Sequence, residues 1–341
     1  MNILIIQLRQ LGDILLTTPV IRALRDHAPE INVDVLTYPM GRLIIPRNPL
    51  VRRHLIAPQK GVLDSLRFVR QLQKYRYDAV IDFMSTPRSA LLSRLVKAKT
   101  RISFDSGRRR FFTHVVPRDG EPDYIVREKF RLLQPLGVKS DDIRLMLPWD
   151  DGDAGSCKIF MSDQQNLSSS QRRVLLSPTH RRAERKWPAE SWVKLAQWLE
   201  QSQSASVIWA WGPGEEEEVA GLRKMAGGAG VLAPKTSFRE LAALTAACDL
   251  FIGNSNGPSH VAVAVNTPSL QLHGPTSAIS WSPLTNRHRA IQQSSMQNIT
   301  PEAVKSMVEA MWPIVDQGAK ELRMFGSICC SDDVWLVRPV L

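Results

Sequence analysis

The chain has 341 residues, 43% of them hydrophobic, which is enough to fill two separate cores. No stretch approaches the roughly 18 apolar residues of a spanning helix, and the N-terminus has neither the basic region nor the cleavage site of a signal peptide, so a cytoplasmic protein is expected. Its net charge of +11 is uneven: residues 1–170 hold 27 Lys and Arg against 18 Asp and Glu (+9), and residues 171–341 hold 17 against 15 (+2). The N-terminal half is therefore expected to meet an anion: nucleic acid, anionic lipid or a phosphorylated substrate. Simple solubility is the competing explanation. The four cysteines, Cys157, Cys248, Cys329 and Cys330, show neither a C-x-x-C motif nor paired ligand spacing, which argues against thiol or zinc chemistry.

In chain order, "NILII" predicts a buried strand and "ILLTTPVIRALRDHAP" a helix, despite Pro19. "INVDVLTY" reads as a strand, "VLDSLRFVRQLQKYRY" as an amphipathic helix, "DAVIDF" as a strand, "PRSALLSRLVKA" as a helix and "TRISFD" as a short strand. Residues 147–172 are rich in Asp, Ser, Gly and Gln with little periodicity, and are expected to form a linker. The alternation then restarts with "RVLLSP" and runs to a last helix, "PEAVKSMVEAMWPIV". The expected organisation is a doubly wound parallel α/β domain over 1–155, a linker over 156–172, a second such domain over 173–315 and a tail over 316–341. Two such halves enclose a cleft at the carboxyl ends of their strands.

Four loops stand at those strand ends. Gly12-Asp13 lacks the glycines of a dinucleotide fingerprint and the Gly-Lys-Ser/Thr of a P-loop, leaving a helix cap or an active-site carboxylate. "SPTHRRAERKWP" places Arg181, Arg182, Arg185 and Lys186 where cations suit phosphate oxygens, or merely form a solvated basic loop. "WGPGEEEE" offers a glutamate to a ribose, although most of its acids simply open a helix. "GNSNGPSH" precedes an apolar helix whose amides at Gly257 to His260 would face an anion, with His260 either a phosphate partner or a packing residue. "HGPT" forms a further turn at the next strand end.

"LGDILLTTP", "RKWPAESWVKLA", "WGPGEEEE" and "GNSNGPSHVAVAVNTPSLQLHGPT", in that order, resemble glycosyltransferase family 9 from residue 1 to about 315. These are ADP-heptose:lipopolysaccharide heptosyltransferases, inverting enzymes of GT-B architecture. "LRQLGDILLTTP" is most similar to the heptosyltransferase III branch, which adds a third, side-branch heptose to the inner core. The resemblance implies that Asp13 is the general base, beside Gly12, and that Lys186 neutralises the donor diphosphate. It also implies that Glu216, or the neighbouring Glu215, holds the ribose, that Thr236 lies near the adenine, and that Thr179, Gly257, Pro258 and His260 bind the donor. Ser255 stands where many members carry an Asp for hydroxyls of the donor sugar; a serine reaches less far and stays neutral.

Arg88, Arg108, Arg109 and Arg110 are candidates for acceptor phosphates. ADP-heptose is then a co-substrate, the acceptor is phosphorylated lipopolysaccharide core met peripherally at the inner membrane, and no cofactor or essential metal is expected. Nucleic acid is not expected, because no recognised motif and no basic run interleaved with aromatics is present. The competing readings are a GT-B transferase or epimerase for another nucleotide sugar, and a non-catalytic module that binds anions or membranes.

Overall fold

The computed structural model describes residues 1–118, 120–164 and 171–324. Its first sheet contains β1 (Asn2–Ile6), β2 (Asn32–Thr37), β3 (Arg53–Ile56), β4 (Ala79–Asp82), β5 (Thr100–Phe104) and β6 (His114–Val116). The second contains β7 (Arg173–Ser177), β8 (Ser206–Trp209), β9 (Val231–Leu232), β10 (Leu250–Asn254), β11 (Ser269–His273) and β12 (His288–Gln292). The helices of the first half are α1 (Leu11–Leu15), α2 (Thr18–His27), α3 (Val62–Lys74), α4 (Pro87–Leu95) and α5 (Ile125–Phe130), and α6 (Asp151–Asp163) follows. The second half carries α7 (Ala189–Gln203), α8 (Glu216–Met225), α9 (Phe238–Ala246), α10 (Gly257–Ala264), α11 (Ala278–Trp281) and α12 (Pro301–Met324).

Strand order is β3-β2-β1-β4-β5-β6 in one sheet and β9-β8-β7-β10-β11-β12 in the other, parallel throughout. Each is the order of a dinucleotide-binding fold, with its topological switch point between β1 and β4 or between β7 and β10. The central strands are unbroken apolar runs because both faces are covered; Ile3, Leu4, Ile5 and Ile6 are all fully buried. Ile3 and Ile5 join α1, α2 and α5 in a core that continues into α9 and α10 of the second half. Leu4 and Ile6 face a separate core under α3 and α4. The architecture is GT-B: two Rossmann-like domains facing one cleft.

Three local expectations are corrected. The helix expected from Ile14 onward is two helices, α1 and α2, because Thr17 and Thr18 turn their hydroxyls back to Asp13 O (2.8 Å) and Leu15 O (2.7 Å) ahead of Pro19. The segment expected to be irregular contains α6, whose Gly152, Gly155 and Ser156 are poor helix formers. Tertiary contacts supply what propensity lacks. Asp150 caps α6 in a box with Asp153, Arg47 pairs with both carboxylates (2.5 and 2.8 Å), and Arg239 reaches Asp153 from the second half (3.4 Å). The last helix runs to Met324 rather than ending at 315, so the expected tail begins inside it; residues 325–341, with Cys329 and Cys330, lie outside the described residues.

Burial holds several histidines neutral. It pushes His260 and His273 down to about 4 and His288 to about 3, with the charge of Lys129 adding to the effect on His260. Unfolded histidines take up protons near 6.5 and the folded ones only near these lower values, so their contribution is intact above about 6.5 and is lost as pH falls toward 4. Buried Asp82, pushed up to about 6, acts in the opposite sense and is one group against three. Tm should therefore be lower at about pH 5 than at about pH 7, each ring contributing about 1–2 kcal/mol. An unchanged Tm across that range contradicts the neutral burial of these rings.

Candidate active site

Asp13 sits on α1 directly after β1, at the switch point of the first sheet. It is the third residue of the helix rather than its cap. Gln10 is the cap, and Asp13 Oδ2 accepts the Gln10 N–H at 3.4 Å in a reciprocal capping arrangement. That contact is long, and the second oxygen accepts no hydrogen bond from a described residue. The carboxylate lines a cavity of about 520 Å³ together with Arg9, Gln10 and Met84 from its own domain and Arg181 and Arg182 from the other. The two domains meet beside it: a Cβ on Gly12 would lie 2.9 Å from His260 Cδ2, so only glycine lets α1 approach α10 this closely.

Lys129 on α5 underlies α1. Its ammonium donates to Asp13 O (2.8 Å) and Thr17 Oγ1 (2.7 Å) and stands 5.2 Å above the Phe83 ring. Burial pushes it down to about 8, against the raising effect of Asp13. It fixes the peptide of Asp13 from below. Sequence reasoning did not single it out, and nothing in "IVREKF" marks it, since its burial arises only when α5 packs on α1 and α2.

Across the cleft, Thr179 is buried after β7 and ties the strand-end loops together. Its hydroxyl donates to Glu215 Oε2 at 2.6 Å, and its carbonyl accepts from Asn256 Nδ2 at 3.0 Å. Glu215 also accepts the Gly212 N–H at 2.9 Å, so this carboxylate is committed to the loop itself. Glu216, in the first turn of α8, is exposed and accepts no hydrogen bond from a described residue. Lys186 donates to both oxygens of Glu218 (2.7 and 2.8 Å). Next to it, Trp187 is buried and its amide donates to Asn254 Oδ1 (3.2 Å), while Asn254 Nδ2 donates to Pro178 O (2.6 Å). Asn254 and Asn256, both missed as functional residues, thus stitch the loop after β7 to the loop after β10.

The amides expected at the start of α10 are reduced in number. Pro258 has none and Ser259 N bonds the Asn256 cap at 3.2 Å, which leaves the Gly257 N–H at the opening of the helix. His260 is buried at the seam, 6.2 Å from Trp281 between ring centroids, and its Nδ1 has no partner among the described residues. Burial holds the ring neutral in this arrangement. Ser255 is anchored through its amide to Leu272 O (3.1 Å) and its hydroxyl remains unengaged by described residues. Thr236 lies in the loop between β9 and α9.

The four acceptor candidates do not converge on Asp13. Arg88 donates to the carbonyls of Pro58 and Gln59 and stacks over Tyr38. Arg108 donates to Ser85 O and Ser106 O, Arg109 pairs with Asp105, and Arg110 lies over Phe111. The cations at the carboxylate are instead Arg9, Arg181 and Arg182. Arg9 carries no local motif; only its place after β1 points to it.

A carboxylate from one Rossmann-like domain facing cationic, helix-opening loops of a second fits the GT-B architecture. The model of glycosyltransferase family 9 (heptosyltransferase) matches residues 65–311, and the chain belongs to that family. It is 30% identical to lipopolysaccharide heptosyltransferase 3 of Escherichia coli K12 over 296 residues, 82% of this chain and 84% of that one. Among solved structures, a family 9 glycosyltransferase from Veillonella parvula superposes with a TM-score of 0.79 at 21% identity, covering 91% of this chain and 96% of that one. Escherichia coli heptosyltransferase WaaC, solved with ADP-2-deoxy-2-fluoro heptose, gives 0.69 at 22% identity, covering 91% and 99%.

Proposed function

We propose that this enzyme transfers heptose from ADP-heptose to a hydroxyl of the lipopolysaccharide inner core, by a single inverting displacement with Asp13 as base. The observation that carries the reading is the position of Asp13: one oxygen accepts no hydrogen bond from a described residue, and the carboxylate faces a cavity shared with loops of the opposite domain. The acceptor hydroxyl gives its proton to Asp13 as its oxygen bonds to the anomeric carbon; the bond from that carbon to the diphosphate breaks, and ADP leaves on the opposite face. Negative charge grows on the diphosphate, where Lys186 and the Gly257 N–H meet it. Lys186 must first leave Glu218, which costs little, because this pair is about one-third exposed and such pairs are worth about 0–1 kcal/mol. Glu216 is free to receive the ribose hydroxyls and Ser255 those of the sugar. Similarity to heptosyltransferase 3 supports a side-branch position for the added heptose, and a lipid-anchored acceptor would be met at the cytoplasmic face of the inner membrane.

Lys186→Ala should weaken ADP binding by about 10–100-fold in calorimetry, the worth of a charge-assisted contact. Unchanged affinity removes Lys186 from the donor site. The reading as a whole is tested by offering ADP-, UDP- and GDP-linked heptose and hexose with truncated core acceptors. Transfer from ADP-heptose alone is expected; preference for another nucleotide sugar overturns it.

A further inference from the structure

None of the described helices is long and apolar enough to cross a membrane, so a lipid-anchored acceptor must be met at the bilayer surface. One face of the molecule is built for that. Helices α3 and α4 lie side by side on the same face of the first sheet: Leu72 of α3 and Leu92 of α4 share one core with Leu4, Ile6 and Val80, and Gln73 Nε2 donates to Leu95 O at 2.7 Å. The opposite face of that sheet carries the core that runs on into the second domain. The outer surface of α3 and α4 therefore points away from the domain seam.

That outer surface has an unusual composition. Leu63 is 70% exposed, Leu66 50%, Leu91 49% and Leu95 38%. Single exposed leucines are ordinary, whereas four on two adjoining helices make a patch that water alone does not favour. Cations surround it. Residues 60–99 hold nine Lys and Arg against three Asp, a net +6 out of the chain's +11. Asp82 is buried and Asp78 takes the Asn2 N–H, so Asp64 is the acid on the helices themselves. Arg67 pairs loosely with Asp64 at 3.8 Å, and the cations around the exposed leucines otherwise outnumber the acids, which matches a surface with an apolar interior and anionic headgroups.

We propose that the outer face of α3 and α4 docks this enzyme on a bilayer rich in anionic lipid, with the leucines entering the headgroup boundary and Arg67, Arg70, Lys74 and Arg94 meeting the headgroups. The choice of a bilayer over an acidic protein rests on the proposed lipid-anchored acceptor. The test is flotation of the full chain with phosphatidylcholine vesicles, with and without phosphatidylglycerol, beside turnover on a delipidated, water-soluble core acceptor. Partitioning to the anionic vesicles is expected to exceed that to neutral ones by at least ~10-fold and to fall with salt. Leu63→Glu with Leu66→Glu, and separately Arg70→Glu with Arg94→Glu, should abolish that preference and leave turnover on the soluble acceptor unchanged. Wild-type partitioning in either variant pair, or no preference for anionic vesicles in the wild type, overturns the docking face. So does binding to polyglutamate without binding to vesicles, which gives the surface to an acidic protein. Vesicle binding intact with no transfer to any core acceptor overturns the proposed function and leaves the docking face standing.

Discussion

Asp13→Ala should lower turnover by at least ~100-fold, the scale of losing a general base, while ADP affinity stays near wild type. The second half of that expectation matters as much as the first. Asp13 belongs to the first domain and lines the cavity from that side, whereas Thr179, Lys186 and Gly257, proposed above to hold the donor, belong to the other. A companion variant separates the two roles that the residue combines. Asn at position 13 still accepts the Gln10 N–H and leaves the backbone contact with Lys129 untouched, but it takes no proton. Asp13→Asn should therefore keep the wild-type Tm and lose turnover as Asp13→Ala does. If Asp13→Asn retains near-normal turnover, the carboxylate is a helix-stabilising group and the base lies elsewhere.

Trp187→Ala should cost about 3–5 kcal/mol of stability, the range for deleting a large buried aromatic. Trp187 is 2% exposed, meets Trp192 edge-on with ring centroids 5.0 Å apart, and donates its indole N–H to Ile299 O at 2.8 Å. The loss should reach the donor site too, because the next residue back is Lys186 and the Trp187 amide is held by Asn254. Urea unfolding should show a lower midpoint at unchanged slope, and calorimetry on the folded fraction weaker ADP binding. Trp187→Phe, which keeps most of the volume and loses the indole donor, should fall between the two. Full ADP affinity in a destabilised Trp187→Ala protein would uncouple the loop from the core beneath it.

The parallel sheets were legible because their central strands carry unbroken apolar runs, such as "ILII" in β1 and "VLL" in β7, as burial on both faces demands. The edge strands β3 ("RHLI") and β6 ("HVV") escaped notice because they are short and partly exposed. Helix α6 escaped because its stability comes from Arg47 and Arg239, which lie far away in sequence. The same division runs through the site. The candidates Asp13, Thr179 and Lys186, and the turn at Gly257, were legible from their places at strand ends, where such folds place ligands. Arg9, Lys129 and Asn254 carry no local signal, since each gains its role from a neighbour on another element. His260 was visible as a residue but not as a buried, neutral ring, because its burial depends on Gly12 across the seam.

The most direct test of Asp13 as the base of a single displacement is the anomeric configuration of the product. Wild-type enzyme is given ADP-heptose and a truncated core acceptor, and the new linkage is read by nuclear magnetic resonance against the donor. Inversion at the anomeric carbon is predicted, with one heptose added per ADP released. Retention of configuration would demand two displacements and a nucleophile that this site does not assign to Asp13, and would contradict the mechanism.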